Sequence, residues 1–216
     1  MLFQNQGSNI AGFTNAFAKE RVRYNEVKEY ATWISTALVK MFGLSSGQTV
    51  ALFGPNSVWY PVAMFSTIRV GEYSFKPARV LNLVNNQFLC AGGIISGASP
   101  AYNVEEMTYS LKTGSAKFLM TTVFSLSVAL PAAQNARIPP NHIFLLEGTA
   151  DGLKTIQDLV AIGKGFGREG QVQSFKIPKG ETNKDICGFL SFSSGTTGLP
   201  KAVSQTVAYL IELAWM

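Results

Sequence analysis

Nine consecutive positions, Ser193-Ser-Gly-Thr-Thr-Gly-Leu-Pro-Lys201, hold the densest chemistry in this sequence. Ser193, Ser194, Thr196 and Thr197 offer hydroxyls that rotate to meet phosphate oxygens. Gly195 and Gly198 let the backbone approach an anion closely. Pro200 stiffens the exit, and Lys201 supplies a cation on a flexible stem. The run follows the apolar segment Ile186 to Phe192, which reads as a buried strand. A strand that opens into such a loop presents N–H groups, hydroxyls and one cation to a polyphosphate.

Other chemistries fit less well. A Walker A loop needs lysine directly after its last glycine and a hydroxyl after the lysine. Here Leu199 and Pro200 separate Gly198 from Lys201, and Ala202 follows. A serine hydrolase on Ser191, Ser193 or Ser194 lacks the G-x-S-x-G turn, and the sole histidine, His142, would have to be its base. A thiol enzyme would have to pair Cys187 with His142. The run Gly163-Lys-Gly-Phe-Gly167 follows a helical pattern rather than a strand, so it reads as a helix-terminating loop rather than a dinucleotide fingerprint.

Composition narrows the class. With 216 residues, 47% of them hydrophobic, the chain can bury one sizeable core. The net charge of +5 is scattered without a basic run, so neither nucleic acid nor a membrane surface is indicated. No stretch reaches the ~18 apolar residues of a membrane helix. Cys90 and Cys187 lie far apart in sequence with no metal or redox spacing, which suits a reducing, cytoplasmic setting. The final Ala214-Trp215-Met216 is not a Ser-Lys-Leu-type peroxisomal address.

The elements around the loop alternate. A helix is expected from a cap at Asn25 to Met41, with Val27, Ala31, Ile34, Leu38 and Met41 on one face. Strand Thr49 to Phe53 and helix Val58 to Ile68 come next. Strand Ala91 to Ala98 precedes a capping box, Asn103-Val-Glu-Glu106, whose helix ends near Gly114. Strand Lys117 to Thr121, a helix Val123 to Ala136 interrupted at Pro131, strand His142 to Leu146 and helix Leu153 to Ile162 complete the series. Alternation of this kind implies an α/β fold of three layers, a mostly parallel sheet flanked by helices. Ligands of such sheets bind beyond the carboxyl ends of strands.

The loop run resembles, at every constrained position, the phosphate-loop signature of adenylate-forming (AMP-binding) enzymes. These include acyl-CoA synthetases and 4-coumarate:CoA ligases. Leu190, Ser193, Ser194, Gly195, Thr196, Thr197, Gly198, Pro200 and Lys201 fill the pattern. Tyr24-Asn-Glu-Val27, Gly47-Gln-Thr-Val-Ala-Leu52 and Ala91-Gly-Gly-Ile to Asn103 resemble further signatures of the large N-terminal domain. The resemblance implies ATP, Mg²⁺, coenzyme A and a carboxylic acid as ligands. It implies that Ser193, Ser194, Gly195, Thr196, Thr197, Gly198 and Lys201 grip the nucleotide phosphates. It also implies that other catalytic positions of the family lie past residue 216, so this polypeptide is expected to be an inactive N-terminal fragment. A peroxisomal form of a longer protein and a non-catalytic nucleotide- or partner-binding remnant both stay open.

Two stretches depart from the family pattern. Residues 70–90 resemble nothing in it, and Asn82, Asn85, Asn86 and Gln87 make a weak pattern for a buried element. Residues 204–216 likewise replace the expected continuation. Gly71-Glu72-Tyr73 and Val203-Ser204 can be encoded by splice-donor-like codons, so both stretches read as translated intron, with a genuine surface insertion and a divergent end as the alternative. The expected organisation is an irregular segment at 1–23, a partial domain at 24–203 with an atypical insertion at 70–90, and an atypical tail at 204–216.

Overall fold

The structure, a computed structural model, describes residues 12–15, 19–70, 81–83, 86–177, 179–193 and 200–208. Positions Ser194 to Gly198 of the phosphate loop therefore lie outside the described residues, as do most of the segment 70–90 and most of the tail.

The pentapeptide Thr49–Phe53 (β3), apolar from Val50 on, is buried along its whole length. A strand buried on both faces belongs in the middle of a parallel sheet. It pairs in parallel with Asn86–Ala98 (β5) on one side and Ala116–Thr122 (β6) on the other. Beyond β6 lie Ile143–Glu147 (β7) and the two-residue strand Lys154–Thr155 (β8), both parallel. Beyond β5 lie Ile186–Ser193 (β9), parallel, and Lys201–Thr206 (β10), antiparallel. The path is β10-β9-β5-β3-β6-β7-β8, with Leu81–Leu83 (β4) pairing to β5.

Helices cover both faces. Tyr24–Phe42 (α1), Trp59–Ile68 (α2) and Ile156–Gly165 (α5) bury their apolar stripes on one side, over Val50, Leu52, Ile95, Phe118, Met120 and Phe144. Val104–Thr113 (α3) and Leu126–Asn135 (α4) cover the other, over Ala51, Phe53, Leu119 and Ile143. The three-layer α/β arrangement expected from the alternation is what forms.

Local chemistry explains most boundaries. At α3, Glu106 N–H donates to Asn103 Oδ1 at 2.9 Å and Asn103 N–H donates to Glu106 Oε2 at 3.0 Å, the capping box read from sequence. Helix α1 starts one residue before Asn25, because Arg23 N–H donates to Glu26 Oε2 at 2.7 Å. It ends at Gly43, whose φ of 72° suits glycine and lets Leu44 N–H reach back to Leu38 O at 2.9 Å. That turn closes the apolar stripe at Leu38 and leaves Met41 57% exposed, against expectation.

Two sequence-based expectations differ from the structure. Pro131 does not interrupt α4: it sits on the exposed side, where its missing N–H does not strip a buried carbonyl. Residues Gly12–Thr14 (β1) and Arg21–Arg23 (β2) pair antiparallel, so the described part of the first 23 residues is not irregular. In the segment 70–90, Leu81–Leu83 and Asn86–Phe88 form an antiparallel ladder. Ser204–Thr206 belong to β10.

Candidate phosphate-loop site

Strand β9 is held from both sides before it delivers the loop. Ile186, Cys187 and Leu190 are buried, and Phe189 packs against the α1/α2 cluster. On the opposite face, Gly114 brings the end of α3 close to Ser96 and Leu190; a Cβ there would lie 3.3 Å from Ser96 Oγ and 3.7 Å from Leu190 Cδ1. A strand fixed this way gives its carboxyl end a defined position.

That end is Ser193, and its cross-strand partner in β10 is Lys201. Ala202 pairs with Phe192 and Val203 with Ser191 below it. The two ends of the Ser/Thr/Gly run are thus one ladder step apart, roughly 5 Å between Cα atoms. Ser193 and Lys201 stand at the carboxyl end of the parallel strands, where α/β sheets place ligands. Lys201 is exposed. The sequence does not show this pairing, because Pro200 reads as a loop exit and not as the residue before a strand.

The competing chemistries are separated by distance. The His142 ring stacks on Phe118, centroids 4.2 Å apart, and its Nδ1 lies 3.1 Å from Lys117 O. This is the amino end of β6 and β7. Ser191, Ser193 and Cys187 are on β9, across β6, β3 and β5, about 19 Å at one strand spacing per step. Among the described residues, none of Ser191, Ser193 and Cys187 can pair with His142. Burial also pushes the Cys187 thiol up from its usual range, although hydrogen bonds to Phe189, Ser204 and Gln205 oppose the shift.

The Gly163–Gly167 run has a packing reason. Gly163 lies inside α5, where that helix crosses α1; a Cβ on it would come within 2.8 Å of Trp33 Cα and closer still to Trp33 O. Its carbonyl accepts from Gln171 Nε2 at 2.9 Å, and Gln171 Oε1 in turn accepts from Thr36 Oγ1 at 2.7 Å. The loop after α5 is therefore tied to α1, not aimed at a ligand.

One cavity that the sequence did not suggest lies at the carboxyl end of β7. It has a volume of about 260 Å³ and is lined by Asn15, Glu20, Trp59, Glu147 and Gln157 among others. Trp59 Nε1 donates to Glu20 Oε1 at 2.8 Å, while Glu147 Oε1 is buried with no hydrogen-bond partner among the described residues. Two carboxylates repel a polyphosphate, and β7 stands four strands from β9. The cavity is separate from Ser193 and Lys201.

Among the described residues no helix is long and apolar enough to cross a membrane. None of their His, Cys, Asp and Glu side chains cluster as a metal site.

Comparison with known proteins shows the family of the chain. The family model described as AMP-binding enzyme matches residues 88–216, more than half of the chain. The acyl-CoA ligase azaF of Aspergillus niger is 27% identical over 164 residues, which cover 76% of this chain and 27% of that protein. The 4-coumarate–CoA ligase-like protein 1 of Arabidopsis thaliana is 28% identical over 207 residues, covering 94% of this chain and 31% of the relative. The chain thus spans between a quarter and a third of the length of these relatives. Two solved structures share the fold. The anthranilate CoA ligase AuaEII, bound to anthranoyl-AMP, superposes with a TM-score of 0.65 at 20% identity, over 93% of this chain and 32% of that one. MatB from Rhodopseudomonas palustris gives 0.66 at 19% identity, over 99% and 35%. With the three-layer sheet and these matches in agreement, the chain belongs to the family of AMP-binding enzymes, and it is similar to acyl-CoA ligase and 4-coumarate–CoA ligase-like proteins.

Proposed function

We propose that this chain supplies the phosphate clamp of an ATP-dependent acid–CoA ligase. In that reaction a carboxylate attacks the α-phosphate of ATP, giving an acyl-adenylate and pyrophosphate. Coenzyme A then displaces AMP to form a thioester. Ser193, Ser194, Thr196 and Thr197 donate hydroxyls, and Gly195 and Gly198 expose backbone N–H groups. Lys201 adds the cation that follows the leaving pyrophosphate. Preorganised donors of this kind stabilise charge as it develops on the departing group. The donor set is hydroxyl, N–H and ammonium, which fits phosphate oxygens; Mg²⁺ would arrive on the nucleotide and neutralise them.

The observation that carries the reading is the β9–β10 register, in which Lys201 and Ser193 are cross-strand partners. A division of the chain into a segment at 1–23, a partial nucleotide-binding domain at 24–203 and a tail at 204–216 goes with it. Alone, the 216-residue polypeptide binds nucleotide without forming thioester, since it spans 27% of the azaF ligase it resembles. The acid remains one of a broad class, aromatic or aliphatic.

Calorimetric titration tests the reading. Mg-ATP and pyrophosphate should bind, and AMP, lacking the β- and γ-phosphates, should bind at least tenfold more weakly. Equal affinity for AMP and ATP would sink the assignment of these residues. Thioester formation by the purified polypeptide would overturn the claim that it is incomplete by itself.

A further inference from the structure

The cavity at the carboxyl end of β7 is built by elements that the nucleotide reading does not use. Its volume is about 260 Å³. A cavity of about 150 Å³ already admits benzene, so a small organic molecule has room here. Glu147 is the last residue of β7. The turn after it is fixed, because Gly148 has a φ of 79° and a Cβ there would lie 2.8 Å from Val123 Cβ. Glu20 stands just before β2, and its backbone O accepts from Asn15 N–H at 2.8 Å. Trp59 opens α2; its ring is 7% exposed and packs on Tyr30, centroids 5.2 Å apart. Gln157 is the second residue of α5, behind the Thr155–Asp158 capping box.

We propose that this cavity binds a small molecule through a guanidinium head. The lining has an excess of hydrogen-bond acceptors. Glu147 Oε1 is buried with no partner among the described residues. Glu20 is the second carboxylate, and the indole N–H of Trp59 is already given to its Oε1 at 2.8 Å. The amides of Asn15 and Gln157 bring donors and acceptors alike, so they do not redress the balance. A buried acceptor without a donor costs the desolvation of that group, and a ligand rich in N–H groups removes the cost.

Guanidinium answers each feature of the lining. It donates several N–H bonds and accepts none. Its planar fork meets a carboxylate through two parallel bonds. It is more weakly hydrated than an ammonium, so it leaves water at lower cost, and it stacks on aromatic rings such as that of Trp59. A metal ion fits worse, since no three His, Cys, Asp or Glu side chains gather as a metal site among the described residues. Helices α2 and α5 both begin at the cavity, and their dipoles offset part of the negative field, which suits one cationic charge rather than two. Strand β7 stands four strands from β9, so occupancy of the cavity is independent of the nucleotide reading.

Methylguanidinium chloride titrated into the isotope-labelled chain tests the proposal, against sodium chloride at the same concentration. The reporter is the indole N–H resonance of Trp59, assigned by its loss in Trp59→Phe. The expected result is a saturable shift of that resonance with methylguanidinium and none with the sodium salt. Methylurea, uncharged and of the same shape, should bind roughly tenfold more weakly or worse, the loss of a charge-assisted contact. Glu147→Gln keeps the side-chain shape and removes the charge, and it should weaken methylguanidinium by a similar factor of about ten. Glu20 is exposed, so Glu20→Gln gives the same comparison should Glu147→Gln fail to fold. A folded wild type without a saturable shift, equal binding of methylurea, or unchanged affinity in the folded glutamine variant would overturn the proposal.

Discussion

Replacing Gly163 by alanine should destabilise the protein, although alanine is the better helix former. The helical preference favours the change by about 1 kcal/mol. Against it stands a new Cβ within 2.8 Å of Trp33 Cα, and nearer to Trp33 O. Ordinary contact begins near 3.4 Å, so α5 must retreat from α1. Overpacking of this kind costs about 1–3 kcal/mol. The retreat also strains the Gln171 bonds to Gly163 O and Gly167 O, at 2.9 and 2.7 Å, each worth about 1 kcal/mol. The net loss is about 2 kcal/mol, or roughly 4–8 °C in midpoint for a domain of this size. Gly165, two residues on in the same helix, supplies the control: a Cβ there meets nothing within 4 Å. Gly165→Ala should be neutral or stabilise by up to about 1 kcal/mol. Urea unfolding of the two variants separates them. If Gly163→Ala matches Gly165→Ala in stability, the packing argument fails. If both instead weaken ATP binding, the glycine run is a ligand loop after all.

Three further outcomes follow from particular contacts. Deleting residues 71–90 and joining Val70 to Ala91 should keep the fold, because a Cβ on Gly92 would lie 2.6 Å from Ile68 O and 2.7 Å from Val70 C, so the segment leaves and returns at one point; loss of the cooperative unfolding transition would contradict this. Full-length cDNA across the same codons should show them spliced out, and their retention in the mature message would refute the translated-intron reading. At α5, backbone and side-chain hydrogen bonds from Thr155 hold the Asp158 carboxyl below its usual range. A depressed folded value means that this stability is present above the unfolded carboxylate pKa, near 4, and is lost as pH falls through the folded one. Thr155→Ala should therefore cost about 1 kcal/mol at pH 7 and progressively less below pH 4; a difference independent of pH would refute the linkage.

The sequence made some parts of this structure plain and hid others, for physical reasons. The five buried residues of β3, the Asn103 box and the Ile186–Phe192 strand carry local signals: continuous apolarity, or side chains that satisfy their own helix end. What stayed hidden depends on partners distant in sequence. Strand β10 is legible only once Lys201 is known to face Ser193. The two-residue β8 forms because β7 is there to pair with it. Gly163 looks like a loop glycine until Trp33 is placed against it. The loop signature itself was legible because phosphate binding fixes residue types at fixed spacing, independent of the surrounding fold.

The central claim is that Lys201 and the hydroxyls before it grip the phosphates of ATP. Titrating Mg-ATP into wild-type protein and into Lys201→Ala tests it most directly, with urea unfolding to show that both are folded. Lys201 is exposed, so its removal should leave stability within about 0.5 kcal/mol. The account predicts saturable binding by the wild type and at least tenfold weaker binding by the variant, the loss of one charge-assisted contact. Equal affinities, or no binding by a folded wild type, would contradict it.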